Sequence, residues 1–187
     1  MIEVRDIGAK SMDRAIKLLA GFGDGKALRD AVYHALSRAG KSAQTKAGQF
    51  SASKYTITKG TFMARTKSKV IIKQGGGLVS VNLRYAGSVI PLIEFSTRYG
   101  KDGNVTTQVM RDRGASALVR AFPARVYGPT RIFERIGSGR FPIEQKYGPS
   151  TAHMMQNEEV IAQMDETIRT TYETRIEHEI TRILNGW

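Results

Sequence analysis

The chain has 187 residues, of which 41% are hydrophobic, and a mean hydropathy of -0.31, so it is long enough to bury a core and ordinary for a soluble globular protein. The absence of cysteine excludes disulfides and cysteine-ligated metal sites. No apolar run approaches the roughly 18 residues that span a bilayer, and the charged first residues lack the apolar segment of a signal peptide, so we expect neither a membrane partner nor export.

The net charge of +12 is unevenly distributed along the chain. Residues 31–93 carry ten Lys and Arg and no Asp or Glu, whereas residues 150–187 carry three Arg and seven acidic residues. This asymmetry favours either contact with a polyanion or head-to-tail packing of an acidic helix on a basic neighbour. A solvated basic surface is the simpler alternative.

Two helices are predicted before residue 50. Ser11 can cap a short helix that ends near Ala20, and Asp24 begins a longer helix that runs to about Gly48. The apolar stripe of the longer helix is formed by Leu28, Val32, Ala35, Leu36, Ala39 and Ala43.

A region of short strands follows this helix. Residues 53–65 are ambiguous, because Tyr55 and Ile57 suit a strand while residues 58–65 suit a short helix with Phe62 facing inward. Alternating apolar residues then predict a hairpin of residues 70–73 and 78–85 around a triple-glycine turn. Further strands are predicted at residues 90–95, 105–110, 118–127 and 131–136.

The last helix begins after Asn157, which is a good N-cap. Its apolar residues are spaced four apart: Val160, Met164, Ile168, Tyr172, Ile176, Ile180 and Leu184. Each four-residue step overshoots one turn by about 40°, so the stripe rotates along a straight helix. We therefore expect the front half to pack on the chain's own sheet and the back half, ending at Trp187, to meet another subunit. A bent helix is the alternative.

Together these elements predict an α+β fold, with an antiparallel β-sheet or partly closed barrel flanked by a long N-terminal helix and a long C-terminal helix. We expect a single domain over residues 1–187. Its parts are a helical region at 1–50, a β core at 69–147 and the C-terminal helix at 150–187.

The sequence offers no catalytic or metal-binding motif. His34, His153 and His178 have no metal-ligand spacing, and the glycine-rich residues 21–26 are followed by Ala27 rather than the Ser or Thr of a phosphate loop. We therefore expect no enzyme, no catalytic residue, no metal and no cofactor.

Basic residues are concentrated between residues 54 and 73. They are candidate contacts to a DNA channel or another polyanion: Lys54, Lys59, Arg65, Lys67, Lys69 and Lys73. Phosphates require only positive charge within reach, so such contacts would be blind to nucleotide sequence.

Several short motifs occur in a recognisable order. They include residues 35–40 (ALSRAG), residues 90–92 (IPL) with Phe95, residues 121–122 (AF), residues 131–135 (RIFER), residues 140–143 (RFPI) and residues 147–150 (YGPS). In order and spacing, over roughly residues 25–160, the chain resembles the prophage minor tail protein Z family.

This resemblance implies a structural virion protein of a tailed phage or prophage, acting in tail completion or head-tail joining. It implies a ring, possibly a hexamer, around the DNA channel, with tail-tube or tail-terminator and head-connector proteins as partners and only transient, nonspecific contact with DNA. The protein would be assembled in the host bacterial cytoplasm and reside in the tail or neck of the virion. A free, sequence-nonspecific nucleic-acid-binding module is the alternative function.

Five residues are candidates for an assembly interface: Ile132, Phe133, Tyr147, Pro149 and Trp187. Maintenance of the fold is the alternative role for the first four.

Overall fold

The computed structural model describes residues 2–3, 25–75, 78–100, 104–126 and 128–185. These residues form two compact units, each gathered from separate segments of the chain. Unit 1 comprises residues 1–47, 68–85 and 161–187, and unit 2 comprises residues 48–67 and 86–160. The predicted helix at 11–20, the turn before Gly25, the middle of the triple-glycine turn and Trp187 lie outside the described residues. The single-domain organisation stays a prediction.

Two long helices contribute to both units. Helix α1 is Gly25–Lys54 and helix α4 is Glu158–Leu184. Helix α1 therefore extends past the end predicted near Gly48 and stops just before Tyr55, which forms an isolated antiparallel bridge with Met110. No helix in the described ranges combines the length and apolarity needed to cross a membrane.

Unit 1 contains a three-stranded sheet in the order β1-β3-β2. Its strands are β1 (Ile2–Glu3), β2 (Lys67–Gly75), of which Lys67 is assigned to unit 2, and β3 (Leu78–Ala86). Alanines at four-residue intervals on α1, from Ala31 to Ala47, are buried, as are Val81 and Leu83 of β3. Gly40 permits close packing here, because a Cβ at this position would lie 2.8 Å from Val70 and 2.8 Å from Val81.

Unit 2 contains helix α2 and three further small antiparallel sheets. Helix α2 (Lys59–Arg65) is capped by Thr58, whose hydroxyl accepts a hydrogen bond from the Thr61 N–H at 3.1 Å, and it buries Phe62 completely. The sheets have the orders β11-β4, β5-β6-β7 and β10-β9-β8. Their strands are β4 (Val89–Pro91), β5 (Ser96–Tyr99), β6 (Val105–Gln108), β7 (Ser116–Leu118), β8 (Ala121–Ala124), β9 (Arg131–Arg135), β10 (Ile143–Gln145) and β11 (Tyr147–Ser150).

The mixed helix-and-strand class and both long helices are confirmed, but the single sheet or partly closed barrel is wrong. The strands are too short and too often interrupted to form one continuous ladder. The strand predicted at 90–95 ends at Pro91 and continues as a 3₁₀ helix, Leu92–Glu94. The strand predicted at 118–127 is broken by a turn at Val119 and Arg120, which separates β7 from β8.

The start of the C-terminal helix is confirmed in detail. The Asn157 side-chain oxygen accepts hydrogen bonds from the N–H groups of Glu159 and Val160, at 3.1 and 3.4 Å. A one-turn helix, α3 (Thr151–Met154), precedes it and is capped by Ser150.

The apolar stripe of α4 stays buried in the back half of the helix. Ile176 is fully buried within the chain and Ile180 is 9% exposed, and Met164 and Ile168 earlier in the stripe are fully buried. Ile176 and Ile180 therefore pack within the chain, and contact of the back half with another subunit stays a prediction.

Candidate functional site

The candidate site is an open pocket on unit 2 whose walls come from four separate parts of the chain. The first wall is the pairing of β4 with β11, in which Tyr147 lies opposite Pro91 and Gly148 opposite Ile90. The main chain extends this pairing, since the Leu92 N–H donates to the Lys146 carbonyl at 3.1 Å. Residues more than fifty positions apart in sequence are thereby held side by side.

The second wall is strand β9, which separates a buried residue from an open one. Ile132 is 1% exposed and packs with Val105 and Ala121. Phe133, one position later, points to the opposite face of the strand and lies beside Phe122 of β8, with ring centroids 6.4 Å apart. The alternation of β9 therefore turns Phe133 toward the pocket.

A shared carboxylate organises the charged side of the site. The Arg65 guanidinium donates from Nε to Glu94 Oε2 at 2.7 Å and also donates to Oε1, while Arg131 Nη1 lies 3.5 Å from Oε1. The Glu94 side chain is 19% exposed. One carboxylate thus balances two guanidinium groups, which leaves the site with one excess positive charge.

The pocket has a volume of about 550 Å³ and is open to solvent. Its lining comprises Arg65, Ser88, Val89, Pro91, Val126, Arg131, Phe133, Gln145 and Tyr147. Val89, Val126 and Tyr147 are about half exposed, which makes an apolar rim around the two arginines. Such a surface is suited to binding an apolar group next to an acidic one.

The lining contains no general base, thiol or carboxylate that could carry a reaction step. Within the described ranges, no group of three His, Asp or Glu residues is placed to hold a metal ion.

The candidate polyanion contacts fall into three structural situations. Lys54 is buried, and its ammonium group forms ion pairs with Asp112 at 2.9 Å and with Glu159. These hydrogen bonds to Glu159 and Asp112 raise the pKa of Lys54, and Lys54 in turn lowers the pKa of Asp112. The charge of Lys54 is therefore neutralised by ion pairs within the fold, and Arg65 lines the pocket.

The remaining lysines of that set are exposed. Lys59 lies on α2, and Lys67, Lys69 and Lys73 occupy odd-numbered positions of β2, so their side chains share one face of the strand. None of the three strand lysines pairs with a carboxylate among the described residues. This row and Lys59 are the part of the predicted basic surface that remains available to a polyanion.

The candidate assembly residues divide in a similar way. Phe133 and Tyr147 line the pocket, Pro149 is half-buried in β11, and Ile132 lies in the core. The structure thus brings Arg65, Phe133 and Tyr147 together, although the sequence analysis had assigned them to two different surfaces.

Sequence reasoning missed Glu94, Arg131, Val89 and Val126. Glu94 had one available signal, because it is the first acidic residue after the acid-free residues 31–93 and lies between the apolar Ile93 and Phe95. A single charge in an apolar run needs a partner of opposite charge, and Glu94 has two, Arg65 and Arg131.

The comparisons with known proteins identify no relative of the chain. It matches no protein-family model, and no curated protein or solved structure is significantly similar to it.

Proposed function

We propose that the chain is a structural virion protein of a tailed phage or prophage, which acts in tail completion or head-tail joining as a ring around the DNA channel. The proposal rests on the resemblance of its ordered motifs to the minor tail protein Z family. The observation that carries it is that motifs distant in sequence come together at one open pocket, whose lining contains no general base, thiol or carboxylate.

This convergence is specific. The IPL motif supplies β4 and the YGPS motif supplies β11, and these two strands are hydrogen-bonded partners. The AF and RIFER motifs supply β8 and β9, whose residues Phe122 and Phe133 are directly opposite each other. If these motifs served only the fold, their large apolar residues would be expected in the core. Instead, Tyr147 is 48% exposed and Phe133 lines the open pocket.

The test is assembly of the purified protein, alone and with tail tubes. We expect rings in electron microscopy, or capping of tube ends, and a mass well above 20.7 kDa in light scattering. A chain that remains a monomer and ignores tail tubes would refute the proposal.

The pocket can be tested separately from the fold. Tyr147→Ala should impair assembly at nearly unchanged melting temperature, because Tyr147 is 48% exposed. Phe133→Ser should impair assembly with a modest loss of stability, because Phe133 lines the open pocket but also contacts Phe122 across the strands. Ile132→Ala is the matched comparison, since it should lower stability by about 2–5 kcal/mol through loss of core packing. Normal assembly by both pocket variants would remove the pocket from the interface.

A second candidate function is sequence-nonspecific nucleic-acid binding, favoured by the exposed row Lys67, Lys69 and Lys73. If all three contact phosphates, the logarithm of the binding constant should fall with the logarithm of salt with a slope of about -3 on duplex DNA. Replacing the three by Gln should abolish most of that slope, whereas replacing Lys41 and Lys46 on the exposed side of α1 should not. Tight binding that persists at physiological salt would favour this function over a tail component.

A further inference from the structure

The three most exposed large hydrophobic side chains among the described residues are Val119, Ile136 and Phe141, at 94%, 60% and 69%. They come from two loops, the turn between β7 and β8 and the hairpin between β9 and β10. Arg120 joins these loops by donating to the Gly137 carbonyl, and the Ile136 N–H donates to the Pro142 carbonyl at 3.2 Å. These hydrogen bonds hold together the two loops that carry the three exposed apolar side chains.

Three arginines, Arg120, Arg135 and Arg140, lie on or beside the same two loops. The Arg135 guanidinium lies 4.8 Å from the Phe122 ring centroid and donates to the Arg140 carbonyl at 2.7 Å, while Arg140 lies 5.9 Å from the Phe141 ring centroid. We define the tip patch as Val119, Arg120, Arg135, Ile136, Arg140 and Phe141.

The tip patch has unbalanced positive charge. None of its arginines has a carboxylate partner among the described residues. The only acidic residue between positions 119 and 142 is Glu134, which is paired with Lys146 at 2.7 Å and whose pKa is lowered by that hydrogen bond and also by the nearby charge of Arg120. Glu144, opposite Glu134 on β10, is exposed. A partner for the patch must therefore supply both negative charge and apolar contact.

The same chain carries a surface with these properties on the exposed side of α4. We define the acidic helix face as Glu166, Thr170, Glu173, Thr174, Glu177 and Thr181. At about 100° per residue these positions fall within an arc of roughly 100°. Glu166 pairs with the neighbouring Arg169 at 3.0 Å, whereas Glu173 and Glu177 have no ion-pair partner in the described part of the chain.

The threonines of the acidic helix face direct their hydroxyls toward the backbone of the helix itself. Their hydroxyls donate to the carbonyls one turn earlier, from Thr170 to Glu166 at 2.8 Å, from Thr174 to Thr170 at 3.0 Å and from Thr181 to Glu177 at 2.8 Å. The face thus alternates carboxylates with methyl groups and lacks free hydroxyl donors.

We infer that the tip patch of one copy binds the acidic helix face of a second copy in a head-to-tail contact. The guanidinium groups of the tip patch would meet the unpaired carboxylates of Glu173 and Glu177, and Val119, Ile136 and Phe141 would pack on the threonine methyls. Charge complementarity within a single sequence selects a second copy over an unrelated acidic partner. Nucleic acid fits less well, because two of the three exposed apolar side chains are aliphatic and cannot stack on bases as aromatic rings do.

A contact between two different surfaces of the same chain is heterologous, and it closes into a ring or propagates as a filament. The inference rests on the proposed function, since it names the two surfaces that would join neighbouring subunits of the proposed ring. It can nevertheless be tested without any tail component. Two variants separate the surfaces: a tip variant, Arg140→Gln with Phe141→Ser, and a helix variant, Glu173→Gln with Glu177→Gln. The matched control is Arg98→Gln with Tyr99→Ser, another exposed arginine–aromatic pair, on β5.

Sedimentation velocity should show concentration-dependent association of the wild type and of the control, weakened as salt rises. Each of the two test variants should associate at least about tenfold more weakly while melting at the wild-type temperature. An equimolar mixture of the two should form one-to-one dimers and nothing larger, because each variant retains one intact surface.

A wild type that is monomeric at about 100 μM, where a millimolar or weaker contact leaves most chains free, would overturn the inference, as would undiminished association of either variant. Failure of the mixture to form dimers would also overturn it. If both variants still cap tail tubes as the wild type does, the inference fails while the proposed function stands. If the wild type associates head to tail but does not bind tail tubes, the inference stands while the proposed function fails.

Discussion

Gly148→Ala tests whether the YGPS motif is fixed by packing against the IPL region. A Cβ at position 148 would lie 2.5 Å from Cε2, 2.9 Å from Cζ and 3.1 Å from Cδ2 of the Phe95 ring. Phe95 is only 5% exposed, so its ring has little room to move aside. Forcing a methyl group into such a site typically costs about 1–3 kcal/mol, which corresponds to a fall in melting temperature of roughly 2–12 °C for a chain of this size.

The measurement is thermal and denaturant unfolding of the wild type, Gly148→Ala, Phe95→Leu and the double variant. Leucine lacks the ring atoms that would clash, so the double variant should be more stable than the sum of the single effects predicts, with a coupling of roughly 0.5–3 kcal/mol. Gly114→Ala is the control, because no atom lies within 4 Å of a Cβ built there. If Gly148→Ala is as stable as Gly114→Ala, or if the double variant shows no coupling, the packing argument is wrong.

Three further predictions concern buried polar and charged groups. Tyr85→Phe should raise the free energy of unfolding by about 1 kcal/mol in urea titrations, because the buried Tyr85 hydroxyl has no hydrogen-bond partner among the described residues; a loss of stability would contradict this. Burial raises the pKa of Asp165, so the charged carboxylate is disfavoured in the folded state. Asp165→Asn should therefore melt at a higher temperature than the wild type near pH 7.5, and this difference should shrink as pH falls through the raised folded pKa toward the lower unfolded pKa. A difference that does not change with pH would refute the reasoning. The Lys54 ammonium lowers the pKa of Asp112, so the stabilising effect of the Asp112 carboxylate is present above its unfolded pKa and lost as pH falls through its folded pKa. Asp112→Asn should therefore melt lower than the wild type at pH 7, with the difference in melting temperature shrinking in acid. Equal melting at pH 7 would show that the Lys54–Asp112 pair contributes nothing to stability.

Local signals in the sequence predicted the helices well. Asn157 and the four-residue spacing on α4 are readable because capping and helical burial depend on residues within one or two turns. For residues 58–65 the sequence suited a short helix with Phe62 facing inward, and the structure has that helix, although a strand was the alternative around Tyr55 and Ile57.

The β region was less predictable, because pairing partners are not set locally. The turn at Val119 and Arg120 contains neither glycine nor proline, so the sequence predicted a single strand where the structure has β7 and β8. The fate of Lys54 was also hidden, since its carboxylate partners lie 58 and 105 residues away in sequence. The pocket is a product of these distant pairings, and only its individual residues could be proposed beforehand.

The segmentation of the two units has a consequence for synthesis on the ribosome. All residues of unit 2 have been polymerised once Val160 is added, whereas unit 1 still lacks residues 161–187. Unit 2 is therefore the first of the two units whose residues are all present in the nascent chain. Until residues 161–187 are added, unit 1 lacks the buried side chains of α4, and the core that contains the alanine stripe of α1 is incomplete. A polypeptide whose synthesis stops in that interval should therefore be vulnerable to proteases and aggregation.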